Sequence, residues 1–203
     1  MARPRSDIND RVLAAAAARF LHDGVDGASL REIARDAGTS VGMVSYYFPT
    51  KDDLFVAVVE DKYRKVLDDI SAALAPDAAF ETQVLRLYTR LGAMSDDEFR
   101  VMRLVMREAL VASPRMPQLV QRFSEGHIPV VLAAIARAML GGEVRDDVHP
   151  ALLVASLFAM GAAPQVFRRL VLPMMPVGVE FPSPDEIART MRDLLLHGLA
   201  KKV

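Results

Sequence analysis

The chain has 203 residues, 52% of them apolar and 25% charged, with a net charge of −1 and no cysteine. That composition excludes a disordered chain, and the missing thiols exclude disulfides and thiolate metal sites, so a reducing cytoplasmic setting is expected. The near-neutral balance gives no overall basic field of the kind that announces a nucleic-acid partner.

The first predicted helix carries Ile8, Val12, Ala15, Ala16 and Phe20 at helical spacing. Its apolar run is interrupted by Arg19, unlike the h-region of a secretory signal. After "HDGVDGA" a short helix is predicted over "LREIARDA", with Leu30, Ile33, Ala34 and Ala37 on one stripe and Arg31, Arg35 and Asp36 opposite. Gly38 ends it where the chain must turn left-handed, and Thr39 or Ser40 caps the next. That next helix, "VGMVSYYF", places Val41, Val44 and Phe48 inward, with Gly42, Met43, Ser45, Tyr46 and Tyr47 on the remaining arc. From Lys51 a long helix is predicted through about residue 75, joining the N-terminal unit to everything after Pro76.

Capping boxes are predicted at Ser29–Glu32, Ser95–Glu98 and Ser183–Glu186, with Thr50–Asp53 a weaker relative. Further breaks at "LAPDA", "AMSDD", "SPRMP", "LGGEVRDDVHP" and "LPMMPVGVEFPSP" bring the count to about nine helices and no strand. The 18 uncharged residues from Pro150 to Phe167 would span about 27 Å as a helix, short of a bilayer core of about 30 Å. Their Ala and Gly content, with Ser156, Pro164 and Gln165, reads as a buried or subunit-contact helix.

Two short helices about a glycine form a helix-turn-helix, in which the second offers its N-terminal residues to a DNA groove. Gly42 permits close backbone approach. The hydroxyls of Ser40, Ser45, Tyr46 and Tyr47 suit phosphates or base edges, and Met43 or Val41 a thymine methyl. A generic helical hairpin is the alternative. Residues 1–65 hold ten Lys/Arg and ten Asp/Glu, so positive potential must come from placement: Arg3 and Arg5 on the leading arm, Lys51, and helix N-termini.

The order "AAARF…G…GASLREIARDAGTSVGMVSYYFPTKDDLF" resembles the DNA-binding region of the tetracycline-repressor (TetR) family of bacterial transcription regulators over about 60 residues. Phe20, Gly24, Ser29, Ile33-Ala34, Ala37-Gly38, Gly42, Tyr46, Phe48, Lys51 and Leu54 fall in register. The resemblance implies an all-α homodimer with a three-helix DNA-binding domain at 1–50. A ligand-binding and dimerisation domain would follow at 51–203, with 51–75 as connecting helix. It also implies a palindromic double-stranded operator and release by a small-molecule effector. Carried over, the operator contacts are Ser29, Ser40, Val41, Gly42, Ser45, Tyr46, Tyr47 and Lys51. Ser45 stands where many members have tyrosine and Tyr47 where many have histidine; both carry a hydroxyl, so the resemblance implies phosphate contact at each place but does not fix the bases read.

Beyond Pro76 the resemblance is one of kind only. Dimer contacts are expected on 149–172 and 183–199, through Leu153, Leu157, Ile187, Met191, Leu194 and Leu195, with Leu199 on the same face. Pocket lining is expected from Tyr88, Leu91, Phe99, Met102, Met106, Phe123 and His127, whose bland alternative is ordinary core. Glu108 is rotated away from the stripe of Arg100, Arg103 and Arg107. It either pairs with an arginine at the edge of that stripe or, if buried, favours a cationic or hydrogen-bond-donating ligand. His127 is either a polar pocket contact or a helix-terminal surface residue.

The four histidines are scattered, and no metal pair, phosphate loop or nucleophile motif is visible. The reading is therefore of a regulator without metal, cofactor or enzymatic activity. A helical protein-binding or scaffold protein is the alternative.

Overall fold

The computed structural model describes residues 5–199 other than 177 and 179. Arg3 and the side chains of Arg5, His197 and Leu199 lie outside the described residues. Among the described residues ten α-helices follow one another: α1 Arg5–Gly27, α2 Leu30–Asp36, α3 Val41–Tyr47, α4 Lys51–Ala73, α5 Phe80–Gly92, α6 Asp96–Leu110, α7 Met116–Glu125, α8 His127–Leu140, α9 Pro150–Val166 and α10 Pro184–Leu199. A π turn, Phe167–Val171, and a 3-10 turn, Leu172–Met174, extend α9. The all-α reading holds, and no strand occurs among the described residues.

The tenth helix arises at Gly126, where the sequence reads as one helix through α7 and α8. Gly126 is non-helical (φ −103°, ψ −108°). Pro129, three residues on, has no N–H to bond the carbonyl of Glu125, so the ladder breaks there.

The chain packs as two units. One comprises Met1–Val66 and Ser95–Arg122; the other comprises Leu67–Met94 and the chain from Phe123 onward. In the first, Val12, Ala16 and Phe20 of α1 are fully buried together with Ile33, Val44, Leu54 and Phe55. The Phe20 and Phe55 rings meet edge to face at 6.3 Å, and burying each stabilises by about 1.5–3 kcal/mol. The predicted stripe of α2 is confirmed at Ile33, Ala34 and Ala37, with Leu30 half-buried. Gly38 has φ +64°, the left-handed turn that separates α2 from α3.

In the second unit α9 packs against α5, α8 and α10. Leu74, Leu87, Tyr88, Ile135, Leu153 and Leu157 are among its fully buried large side chains, joined by Ile187 and Leu195. By length and composition, Pro150–Met174 could cross a membrane.

Three of the four predicted caps form. Ser95 Oγ accepts from Glu98 N (3.2 Å) and Glu98 Oε2 accepts from Ser95 N (2.8 Å). Ser183 and Glu186 repeat the pattern at 3.3 and 2.8 Å, and Thr50 and Asp53 do so at 3.0 Å both ways. The Ser29–Glu32 box does not form, because Ser29 makes no side-chain cap bond. Glu32 instead pairs with Arg19 at 3.4 Å and Arg35 at 3.8 Å, and the carboxylate that should reach back is held elsewhere.

Candidate nucleic-acid interface

α3 is seven residues long, and its orientation follows from two buried side chains. Val44 is 0% and Phe48 8% exposed. Val41, expected inward with them, is 38% exposed, so the anchor consists of Val44 and Phe48 alone. Ser40 caps the helix, its Oγ accepting from Met43 N at 3.2 Å. Gly42, Ser45 and Tyr46 are exposed and Tyr47 is half-buried; Tyr46 reaches 72%. The Tyr46 and Tyr47 rings meet edge to face at 5.4 Å, and Tyr47 leans on Phe48 at 6.4 Å. The outward phenols are thus tied, ring by ring, to the inward anchor.

Two of the expected contacts differ in setting from the rest. Ser29 is half-buried ahead of α2. Lys51 Nζ donates to the carbonyl oxygens of Asp26 (2.6 Å) and Ala28 (3.1 Å), so two of its three N–H donors hold the α1–α2 connection.

A neighbouring feature escaped the sequence reading. Arg115, only 6% exposed, donates to Glu108 Oε2 at 3.1 Å and Asp52 Oδ1 at 2.6 Å, and also pairs with Asp26. Burial works against its charge, and hydrogen bonds to Asp26, Asp52 and Glu108 outweigh that, holding its pKa above the usual arginine value. The same bond, from Arg115, holds the Asp26 carboxyl below its ordinary range. Glu108 therefore has an arginine partner that is not in the stripe of α6. The rotated, buried Glu108 was the available signal for a nearby cation; nothing local marked Arg115, which sits in a loop.

The eight expected ligand contacts divide between the units. Phe99, Met102, Met106 and Glu108 belong to the first, and Tyr88, Leu91, Phe123 and His127 to the second. Met106 is exposed, and the Glu108 carboxylate is occupied by Arg115. In the second unit, the Tyr88 ring and Leu91 pack against Gly161, and the Tyr88 hydroxyl is buried without a hydrogen-bond partner among the described residues. Burial raises the Tyr88 pKa, keeping the phenol a neutral donor. The His127 ring, at the start of α8 and half-buried, meets Phe123 (5.1 Å) and Phe158 (5.0 Å). The first unit also holds a cleft of about 440 Å³ with an alanine-rich floor on α1 and a rim of Asp10, Asp61, Lys62, Asp97 and Arg100; none of the expected contacts lines it.

Burial lowers the His127 pKa to about 4. The unfolded imidazole takes up its proton near 6.5, so between those values the unfolded chain binds more protons. His127's contribution is complete above about pH 6.5 and is lost toward pH 4, with a slope of at most about 1.4 kcal/mol per pH unit. Urea midpoints from pH 7 to 4.5 should fall more steeply for the natural protein than for His127→Phe; parallel curves would mean a solvated imidazole.

Of the expected dimer contacts, Leu153, Leu157, Ile187 and Leu195 are buried within the chain itself, while Met191 is half-buried and Leu194 is 57% exposed. Leu152, on α9, is 62% exposed.

A stubby helix pinned by two apolar side chains behind a left-handed glycine turn, within an all-helical chain, defines a helix-turn-helix protein. The sequence profile of bacterial regulatory proteins of the tetR family matches residues 12–58. The chain is 33% identical over 125 residues to the HTH-type transcriptional regulator BetI of Cronobacter sakazakii, covering 59% of this chain and 61% of that one. It spans between 40% and 61% of the length of the curated relatives it matches. Its fold is similar to a bacterial regulatory protein of the tetR family from Rhodococcus RHA1, with TM-score 0.75, 22% identity, and 97% and 98% of the two chains covered. It is also similar to the transcriptional regulator FadR of Bacillus subtilis, solved with stearoyl-CoA: TM-score 0.72, 14% identity, 93% and 98% covered. Residues 12–58 thus match the DNA-binding segment of that family, and the fold of the chain is similar to those two structures.

Proposed function

We propose that the protein is a ligand-responsive, DNA-binding transcriptional regulator, a homodimeric repressor that leaves a palindromic operator when a small apolar effector binds. The observation that carries this reading is the split along α3, with Val44 buried and Tyr46 exposed beside it, inside the segment that matches the family. Residues 1–50 serve as the reading head. Ser40, Val41, Gly42, Ser45, Tyr46 and Tyr47 face the duplex, and Ser29 and Lys51 lie at its margin. Residues 51–203 bind ligand and dimerise, with 51–75 as the connection.

The buried hydroxyl of Tyr88 and the His127 niche between two phenylalanines support an apolar effector that carries a hydrogen-bond acceptor. FadR, of similar fold, holds an acyl-CoA. Dimerisation through the outward faces of α9 and α10 is supported by the exposure of Leu152 and Leu194, with Met191 beside the latter. A second copy, rather than lipid, covers them in this reading.

The test is enrichment from a random pool of 30-base-pair duplexes by the full chain. The reading expects an inverted repeat whose affinity falls steeply with salt. Absence of any enriched sequence would contradict it.

A further inference from the structure

The helix-turn-helix is bracketed by two aspartates. Asp26 lies in the last turn of α1, ahead of α2, and Asp52 lies in the first turn of α4, five residues after α3 ends. One buried guanidinium takes both, and it is anchored to α6 through Glu108. The loop that presents it is fixed as well. Ala112 adopts φ +49°, unusual for a residue with a side chain, and Ser113 N donates to Glu108 O at 3.0 Å. Ser113 Oγ accepts from Arg115 N at 3.2 Å and from Nη1 at 3.3 Å. The connection beyond α3 is equally constrained. Thr50 and Asp53 cap one another, and the Lys51 ammonium reaches back to the carbonyl of Asp26, whose carboxylate Arg115 holds. Both ends of the reading element therefore converge on one side chain some sixty residues beyond it.

We propose that Arg115 is a positioning residue for DNA reading: it touches no DNA, but fixes the pose of α3 by clamping the chain on either side of it to α6. This rests on the DNA-binding reading above. Only arginine suits the role, because its planar fork of five donors serves three carboxylates at once, whereas a lysine ammonium is a single point. The two outer carboxylates are largely solvated, with Asp26 at 84% and Asp52 at 51% side-chain exposure. Their removal therefore loosens the clamp without stranding a buried charge.

The experiment uses the full-length protein and a fluorescein-labelled duplex enriched by the natural protein from the random pool. Affinity for it is measured between 50 and 300 mM KCl (roughly the range in which phosphate contacts are resolved), beside thermal melting. Arg115→Lys is expected to melt near the natural protein, since Glu108 keeps a cationic partner, and to bind at least about tenfold more weakly. The slope of log affinity against log salt should stay unchanged, because no phosphate contact is lost; losing one would reduce it by about 1. If Arg115→Lys fails to fold, the Asp26→Asn/Asp52→Asn double variant supplies the same comparison. Natural affinity in the folded variant, or a slope reduced by about 1, overturns the proposal. Failure of the natural protein to enrich any duplex removes the DNA-binding reading itself, and this proposal with it. Enrichment followed by equal affinity of the variants removes only the role of Arg115.

Discussion

Arg115→Met is expected to destabilise the protein by about 3–5 kcal/mol, the range for removing one member of a buried ion pair. The magnitude comes from what the substitution leaves behind. The Glu108 carboxylate is 5% exposed, and without Arg115 it stays buried with its main cation gone. Asp26 and Asp52 are solvated and contribute little by their own release, as for other surface pairs. Adding Glu108→Gln to Arg115→Met removes the stranded charge and should restore more than half of the loss in urea titrations. A cost below about 1 kcal/mol for Arg115→Met would show that water reaches the carboxylate and that the cluster is a surface feature.

Gly161→Val is expected to cost about 3 kcal/mol in the second unit, the upper part of the range for overpacking. A Cβ at position 161 would stand 2.5 Å from Leu91 Cδ1 and 3.0 Å from two ring carbons of Tyr88, and both neighbours are buried. Valine adds two further methyls to that collision. The glycine is thus what lets α5 and α9 approach, and it sits on the helix whose apolar run first raised the question of a membrane. Calorimetry of the single variant measures the cost. Leu91→Ala in the same background should cost less than on its own, because the two substitutions share one contact. A loss under about 0.5 kcal/mol would mean that the helices separate freely.

Much of the helix-turn-helix was legible because its signals are local. Gly38, the spacing of Val44 and Phe48, and the cap at Ser40 each act within a few residues, and the structure places them as the spacing predicts. The Ser29 box failed where a distant partner intervened: Arg19, 13 positions away, holds Glu32. Arg115 was invisible for the same reason, since its partners Asp52 and Asp26 lie 63 and 89 positions off and a loop residue has no periodicity to betray it. On α9 and α10 the apolar spacing identified faces that are buried, but periodicity does not say which body does the burying. Leu153, Leu157, Ile187 and Leu195 are covered by their own chain, leaving Leu152 and Leu194 outward. Pro129 and Gly126 show the same limit at a boundary, where a continuous apolar pattern conceals a break in the backbone ladder.

The most direct measurement is the affinity of Tyr46→Ala for the enriched duplex, taken beside its melting curve. Tyr46 is 72% exposed and anchors no core, so melting should match the natural protein. Affinity should fall at least about tenfold, the loss of one good groove contact. Unchanged affinity in a folded variant would contradict the claim that this flank of α3 reads DNA.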